Sequence, residues 1–497
     1  MKSLSAAVVA LAAAFAVARD VDLDARQAAS SSAATAPSSA STSPTSLSVG
    51  TAISTAVSTA TAVTSATGAS SSSGTGSSIA TIGTVATTSI SVSLQSENPT
   101  AIPLASIIAG QFTTATVTLA ETPTAGAQPS ISGAPTLPNL DGFAPSKYPA
   151  LDIKAPTDSE QVSQWKQEVA DSGVDIPDIA PTVIGGCPAN AQAATDSSRC
   201  WWTCGGCTRD SDITTCPDKN TWGLTYDDGP SLQTPQLLDY LEEQDLQATF
   251  FVVGSRVVSF PHILQQEYMS GHQIAVHTWS HPSLTTLTND EIIAELGWSR
   301  QAIQDVLGVT PSVMRPPYGD IDDRVRAISL AMGMTPVMWT RISSTQTFDT
   351  DDFNIQNGLT SAGQVLQNWE YILGNASKID TGFIVLEHDL YQQSVEIATG
   401  YILPDAIAQN YTIVPVVTCL NKPMEDAYVA TNDNSTNPPA ESGSAVTLSS
   451  GAPGSVQATG EAGGGGNSTG QSNSAYTNRI GTILSILLYI GPLVFFL

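Results

Sequence analysis

The chain has 497 residues, with 18 Lys and Arg against 45 Asp and Glu, a formal net charge of −27. That balance excludes a nucleic-acid binder and describes a soluble, self-repelling surface, with affinity for a cationic polymer as the sharper alternative. Length overstates what can fold, because residues 28 to 135 are mostly Ser, Thr, Ala and Gly with few aromatics.

The first 18 residues read as a secretory signal. Lys2 precedes an apolar stretch from Leu4 to Val17, and Ala16-Val17-Ala18 forms a small-x-small cleavage site. Residues 19–140 read as a disordered stalk suited to O-glycosylation, since they offer too little apolar surface to offset ordering entropy. A folded domain is expected over residues 141–426, and a Gly/Ser/Asn-rich linker over 427–479. The apolar tail from Ile480 to Leu497 follows a polar spacer and small residues. That order matches a GPI attachment signal, with Asn467 or Ser468 as the attachment residue. A transmembrane anchor would usually carry Lys or Arg beyond it.

Six cysteines suit an oxidising compartment: Cys187, Cys200, Cys204, Cys207 and Cys216 crowd together, and Cys419 is distant. Cys204-Gly205-Gly206-Cys207 lacks a second CxxC or a nearby His, which favours disulfides over zinc. If all six are oxidised, one of the five must reach Cys419 and clamp the start of the domain to its end. Sequons at Asn375, Asn410, Asn434 and Asn467 fit an extracellular chain.

Within the domain, strand and helix patterns alternate. Thr221 to Tyr226, Ala248 to Val253, Gln273 to Val276, Val313 to Arg315, Thr335 to Trp339, Phe383 to Leu386 and Thr412 to Val417 read as strands. Helical spacing covers Pro235 to Gln244, Pro261 to Met269, Asp322 to Met332, Ala362 to Leu373 and Val395 to Gln409. Thr288-Asn289-Asp290-Glu291 is a capping box that opens a helix to about Leu307. About seven such units predict an α/β fold with parallel strands, an incomplete (β/α) barrel.

The chemistry-bearing segments fall at the C-terminal strand ends, where active sites of parallel α/β folds gather. His277 and His281, at i and i+4, are expected on one face of a helical turn. With Asp228 they make a three-ligand set with an open position, the usual form of catalytic zinc. Asp227 and Asp228 precede Gly229-Pro230, whose turn lets both carboxylates approach the site, one as ligand and one as base. Of the remaining imidazoles, His262 reads as a helix or loop residue and His272 as packed. Trp201-Trp202 reads as packing against disulfides rather than as a sugar platform.

Five segments in order, Thr225-Tyr226-Asp227-Asp228-Gly229-Pro230, His277 to His281, Arg315-Pro316-Pro317-Tyr318-Gly319, Asp349 to Phe353 and Leu386-Glu387-His388-Asp389, resemble the NodB-homology polysaccharide deacetylases, and specifically fungal chitin deacetylases. The resemblance spans roughly Cys187 to Cys419. It implies a distorted (β/α) barrel and removal of N-acetyl groups from chitin with a divalent metal, Zn2+ or else Co2+. By resemblance Asp227 is the general base, Asp228, His277 and His281 hold the metal, and Arg315 orients the base. The Tyr318 backbone N–H serves the oxyanion, His388 is the general acid, and Leu386 walls the acetyl methyl group. The fourth segment departs from the family: Ile342 to Phe348 intervene, and the closing aromatic is Phe353. Asp349 or Asp352 is expected to hold the arginine or line the pocket. A monomeric catalytic domain is expected. An O-deacetylase of xylan or another wall glycan would use the same residues, and a non-catalytic glycan-binding mannoprotein would be expected to lack Asp227 or His388.

Overall fold

Short apolar runs such as Thr249-Phe250-Phe251-Val252 and Gln273-Ile274-Ala275-Val276 carry no polar face, as strands covered on both sides require. In the computed structural model, which describes residues 92–111, 117–119, 122–343 and 346–429, both runs are fully buried strands. In chain order the main elements are α1 (Glu160–Asp171), β1 (Thr221–Gly223), β2 (Thr225–Asp227), α2 (Thr234–Glu243), β3 (Thr249–Val252), α3 (Gly254–Ser259), α4 (Pro261–Met269), β4 (Gln273–Val276) and α5 (Asn289–Leu307). They continue with β5 (Val313–Met314), α6 (Asp323–Ala331), β6 (Thr335–Pro336), β7 (Arg341–Ser343), β8 (Gln346–Thr347), α7 (Ala362–Ala376), β9 (Phe383–Ile384), α8 (Gln392–Ile397), α9 (Leu403–Ala408) and β10 (Thr412–Val414).

The strands form a distorted parallel barrel wall. One sheet runs β10-β1-β9 and another β2-β3-β4-β5-β6, with every registered pair parallel. β1 and β2 are one extended run that changes neighbour at Leu224. The Leu224 N–H donates to Val414 O (3.0 Å), and its carbonyl accepts from Thr249 N (2.9 Å). Parallel bridges Asp227–His388 and Asp349–Leu386 prolong the β9 run toward the site. Consecutive side chains at the C-terminal ends of these strands therefore meet at one edge.

The capping box forms as expected on α5. Thr288 Oγ1 accepts from Glu291 N, Glu291 Oε2 accepts from Thr288 N, and the helix stops at Gly308 with φ 79°. On the same helix Gly297 seats α1, because a Cβ there would lie 2.2 Å from the Trp165 ring.

Two expectations about element boundaries change, and the inserted residues take a shape of their own. The last strand stops at Val414, because Pro415 leads into a helical turn over Val416–Cys419. The helix expected from Val395 to Gln409 is α8 and α9 joined through a π-helical turn, Ala398–Ile402, with Gly400 inside it. The residues inserted after Arg341 form the antiparallel hairpin β7–β8.

The stalk boundary at 140 also moves. Ile107, Ile131, Ala134 and Leu137 are buried in the core cluster, and Asn98 N donates to Gly400 O at 2.8 Å. Single apolar anchors on an extended chain have no period, so composition averaged over the region hides them. At the other end packing continues past 426. Tyr428 is fully buried, and its hydroxyl accepts from Ile274 N at 3.0 Å. The expected signal, most of the stalk, Asn434, Asn467, Ser468, the linker from 430 and the tail lie outside the described residues.

Candidate active site

The end of β2 presents two consecutive carboxylates because the chain turns sharply there. Asp228 has φ 77°, and its N–H donates to Phe251 O, while Asp227 N donates to Glu387 O. Asp227 Oδ1 accepts from Arg315 Nη1 at 2.7 Å. Arg315 is fully buried, donates also to Thr225 Oγ1 (2.9 Å), and lies over the Phe251 ring at 4.1 Å. Arg315 takes its carboxylate from Asp227, so neither Asp349 nor Asp352 has the task of holding the arginine.

His277 and His281 do converge, but not on a helix. They sit on an irregular loop after β4 in which Thr278 and His281 both have positive φ, 65° and 63°. The i and i+4 spacing expected of a helical turn is reached here by two left-handed residues. A side chain that the sequence reading passed over holds this loop. Glu295, fully buried on α5, accepts from Trp279 N (3.0 Å), Ser280 N (2.8 Å) and Ser280 Oγ (3.0 Å). Burial pushes the Glu295 carboxyl up, and these donors oppose the shift. An acid at the buried face of a helix, against the periodicity, was the signal available for it.

Ligand atoms of Asp228, His277 and His281 lie within 4.8 Å of one another. His277 Nδ1 faces Arg315 O at 2.8 Å, and a carbonyl only accepts, so Nδ1 carries the proton and Nε2 the lone pair. That Nε2 faces Asp228 Oδ1 at 3.3 Å, and His281 Nε2 faces the same oxygen at 3.1 Å. Asp228 Oδ1 makes no hydrogen bond of good geometry. A carboxylate oxygen set against two imidazole nitrogens in a buried site suits a shared divalent cation, so the residues fit a metal. Burial raises the Asp228 carboxyl, yet the facing His281 and His277 hold it well below the usual range.

His388 is the neighbour of Asp227 across a parallel bridge. Its Nδ1 lies 2.8 Å from Asp352 Oδ1, its backbone N–H donates to Asp352 Oδ2 (3.0 Å), and Phe353 packs on its ring at 5.2 Å. Burial lowers the imidazole, but Asp352, with Asp228 and Asp227 behind it, outweighs that, and the pKa is raised to about 10. Asp349 is not equivalent: its Oδ1 accepts from Asp351 N, and burial raises its carboxyl to about 6. Tyr318, at φ 59°, brings its hydroxyl 3.1 Å from His281 Nδ1, a side-chain contact beyond the backbone role expected of it. Leu386 is buried beside the β9 run.

A family profile described as polysaccharide deacetylase matches residues 214–337. Chitin deacetylase 1 of Cryptococcus neoformans var. grubii is 53% identical over 338 residues, 67% of this chain and 71% of that protein. The chain belongs to the polysaccharide deacetylase family. It is a deacetylase, and hence a hydrolase. The chitin deacetylase of Amylomyces rouxii is 41% identical over 251 residues, 48% of this chain and 57% of that protein. The solved chitin deacetylase of Colletotrichum lindemuthianum aligns at 28% identity with a TM-score of 0.40, covering 45% of this chain and 97% of that one.

The deacetylase forms three disulfides, Cys187–Cys204, Cys200–Cys207 and Cys216–Cys419. The two cysteines of the CxxC run take different partners, and the third bond joins the start of the barrel to its end. Trp202 is buried against Trp339 at 4.6 Å, and Trp201 Nε1 donates to Asp320 Oδ1, so both serve packing. Trp202 also needs Gly319, where a Cβ would come within 2.3 Å of its ring. His262 is exposed on α4, whereas His272 is buried and accepts from Ala248 N. Asn410 is exposed, and Asn375 is half-buried with its amide on Tyr371 O.

Proposed function

We propose that this deacetylase hydrolyses the N-acetyl groups of chitin, yielding chitosan and acetate, with one divalent cation held by Asp228, His277 and His281. The observation that carries the reading is the flanking of that ligand set by Asp227 on Arg315 and by His388 on Asp352. A base and an acid then stand at one site beside the ligand set, as amide hydrolysis requires.

When bound, the cation, Zn2+ or else Co2+, would supply Lewis acidity to an amide carbonyl and to a neighbouring water. Asp227 takes a proton from the attacking water as the new C–O bond forms. Arg315 fixes one oxygen of that carboxylate and leaves Oδ2 on the side of His277 Nε2, 3.8 Å away. The Tyr318 backbone N–H is assigned to the developing oxyanion. His388, with Nδ1 committed to Asp352, delivers a proton from Nε2 to the nitrogen as the C–N bond breaks. An amine leaves poorly without that proton, so the acid is required. Leu386 is assigned to the acetyl methyl group.

The full reading is of a secreted glycoprotein, glycosylated at Asn375, Asn410 and Asn434 and anchored through a GPI lipid at the cell membrane and wall, with a monomeric catalytic domain. The sequence patterns at the two ends support it.

The test is acetate release from chitin oligomers, measured before chelation, after it and after zinc is restored, beside an Asp227→Asn variant. Release that follows the metal and disappears in the variant is expected. Release from acetylated xylan alone would replace chitin by an O-acetylated glycan.

A further inference from the structure

We propose that the segment 92–111, outside the residues matched to the family profile, is a positioning clamp for His388 that acts through Gln393 and Gln356. The proposal rests on His388 being the general acid.

Asp352 is followed four residues later by Gln356, and His388 is followed five residues later by Gln393. The two glutamines meet. Gln393 Nε2 donates to Gln356 Oε1 at 2.6 Å, to Ile108 O at 3.0 Å and to Gln111 O at 3.3 Å. Gly110 N donates to Gln356 O at 2.9 Å. Both side chains are buried, Gln393 2% exposed and Gln356 7%. A buried amide whose acceptors come from two other stretches locks all three together, because releasing any one leaves polar groups unpaired.

The locked pieces are the ones that set the acid. Asp352–Ile355 is a single 3-10 turn, and Asp352 holds both the ring and the backbone of His388. Tyr391, just before Gln393, packs on Phe353 at 5.0 Å, and Phe353 packs on His388. The clamp is fastened elsewhere along its length. Ile107 is 3% exposed, Tyr401 donates to Ile102 O at 2.7 Å, and Gln95 N donates to Asp405 Oδ1 at 2.6 Å. Residues 92–111 are therefore tied to both stretches that carry the Asp352–His388 pair.

The experiment uses the full chain carrying Ile107→Asp, which drives a charge into the docked face, or the milder Gln393→Ala. Each is combined with Asp352→Asn, and folding is checked by circular dichroism at the assay temperature. Each single variant is expected to lower kcat for acetate release about tenfold, as a displaced catalytic group does, with KM little changed. In the Asp352→Asn background the same substitutions should cost almost nothing more, because the link to His388 is already cut. An unchanged kcat in folded Ile107→Asp and Gln393→Ala, or a full tenfold loss persisting in the Asp352→Asn background, overturns the clamp. Absence of acetate release from the unsubstituted chain would instead overturn the deacetylation reading.

Discussion

His388 is joined to Asp352 twice, ring nitrogen to one carboxylate oxygen at 2.8 Å and backbone N–H to the other at 3.0 Å. The carboxylate thereby fixes both where the imidazole stands and which nitrogen faces outward.

Asp352→Asn should weaken the proposed acid, His388. Asp352 is the largest influence raising the imidazole against burial, to about 10. A raised pKa keeps His388 protonated up to higher pH, and the proton is lost as pH rises through about 10. Removing the charge brings this loss to lower pH. The expected result is a downward shift of the alkaline limb of kcat, with kcat at neutral pH reduced about 10²-fold. An alkaline limb that stays in place would detach Asp352 from the acid.

Glu295→Gln should loosen the loop that carries both imidazoles. The substituted amide keeps one accepting oxygen, so either the N–H groups of Trp279 and Ser280 or that of Ala155 lose their partner. Zinc affinity is expected to fall about 10–100-fold, the scale seen when support behind metal ligands is lost. Competition against a chromogenic chelator measures it, and an unchanged affinity would make Glu295 a purely structural residue.

The groups legible in the sequence were those packed into short segments at strand ends: Asp227, Asp228, His277, His281, Arg315 and His388. Their convergence followed from a parallel fold, in which every such end reaches the same edge. What stayed hidden depended on distance along the chain. Glu295 is 14 residues from His281 and resembles any helix acid until its burial is known. Asp349 and Asp352 could not be separated because the hairpin β7–β8 alters the spacing before them. The helical turn expected at His277 and His281 failed for a different reason: i and i+4 spacing records separation, and two positive-φ residues can produce the same convergence.

Removing the Cys216–Cys419 bond should cost stability and leave chemistry alone. The two residues are 203 apart, so the bond closes most of the barrel, and both sulfurs lie by Gly223 at the end of β1, four residues before Asp227. The doubly substituted Cys216→Ser, Cys419→Ser chain is expected to lose about 2–5 kcal/mol by urea unfolding, with kcat at 25 °C unchanged. A stability equal to the parent would show that packing of Val416 and Val417 alone closes the barrel.

The buried Asp227–Arg315 pair allows stability and catalysis to be separated. Asp227→Asn keeps the shape but strands a guanidinium with no exposure to water, at a cost of about 3–5 kcal/mol. It also removes the proposed base, so kcat should fall about 10²–10⁴-fold. Adding Arg315→Met removes the stranded charge and keeps much of the volume against Phe251. Thermal stability should then recover while acetate release does not, because no group remains to take the proton from water. Recovery of both in the double variant would mean that Asp227 served only to neutralise Arg315, and the base would have to be sought among the other carboxyls of the site.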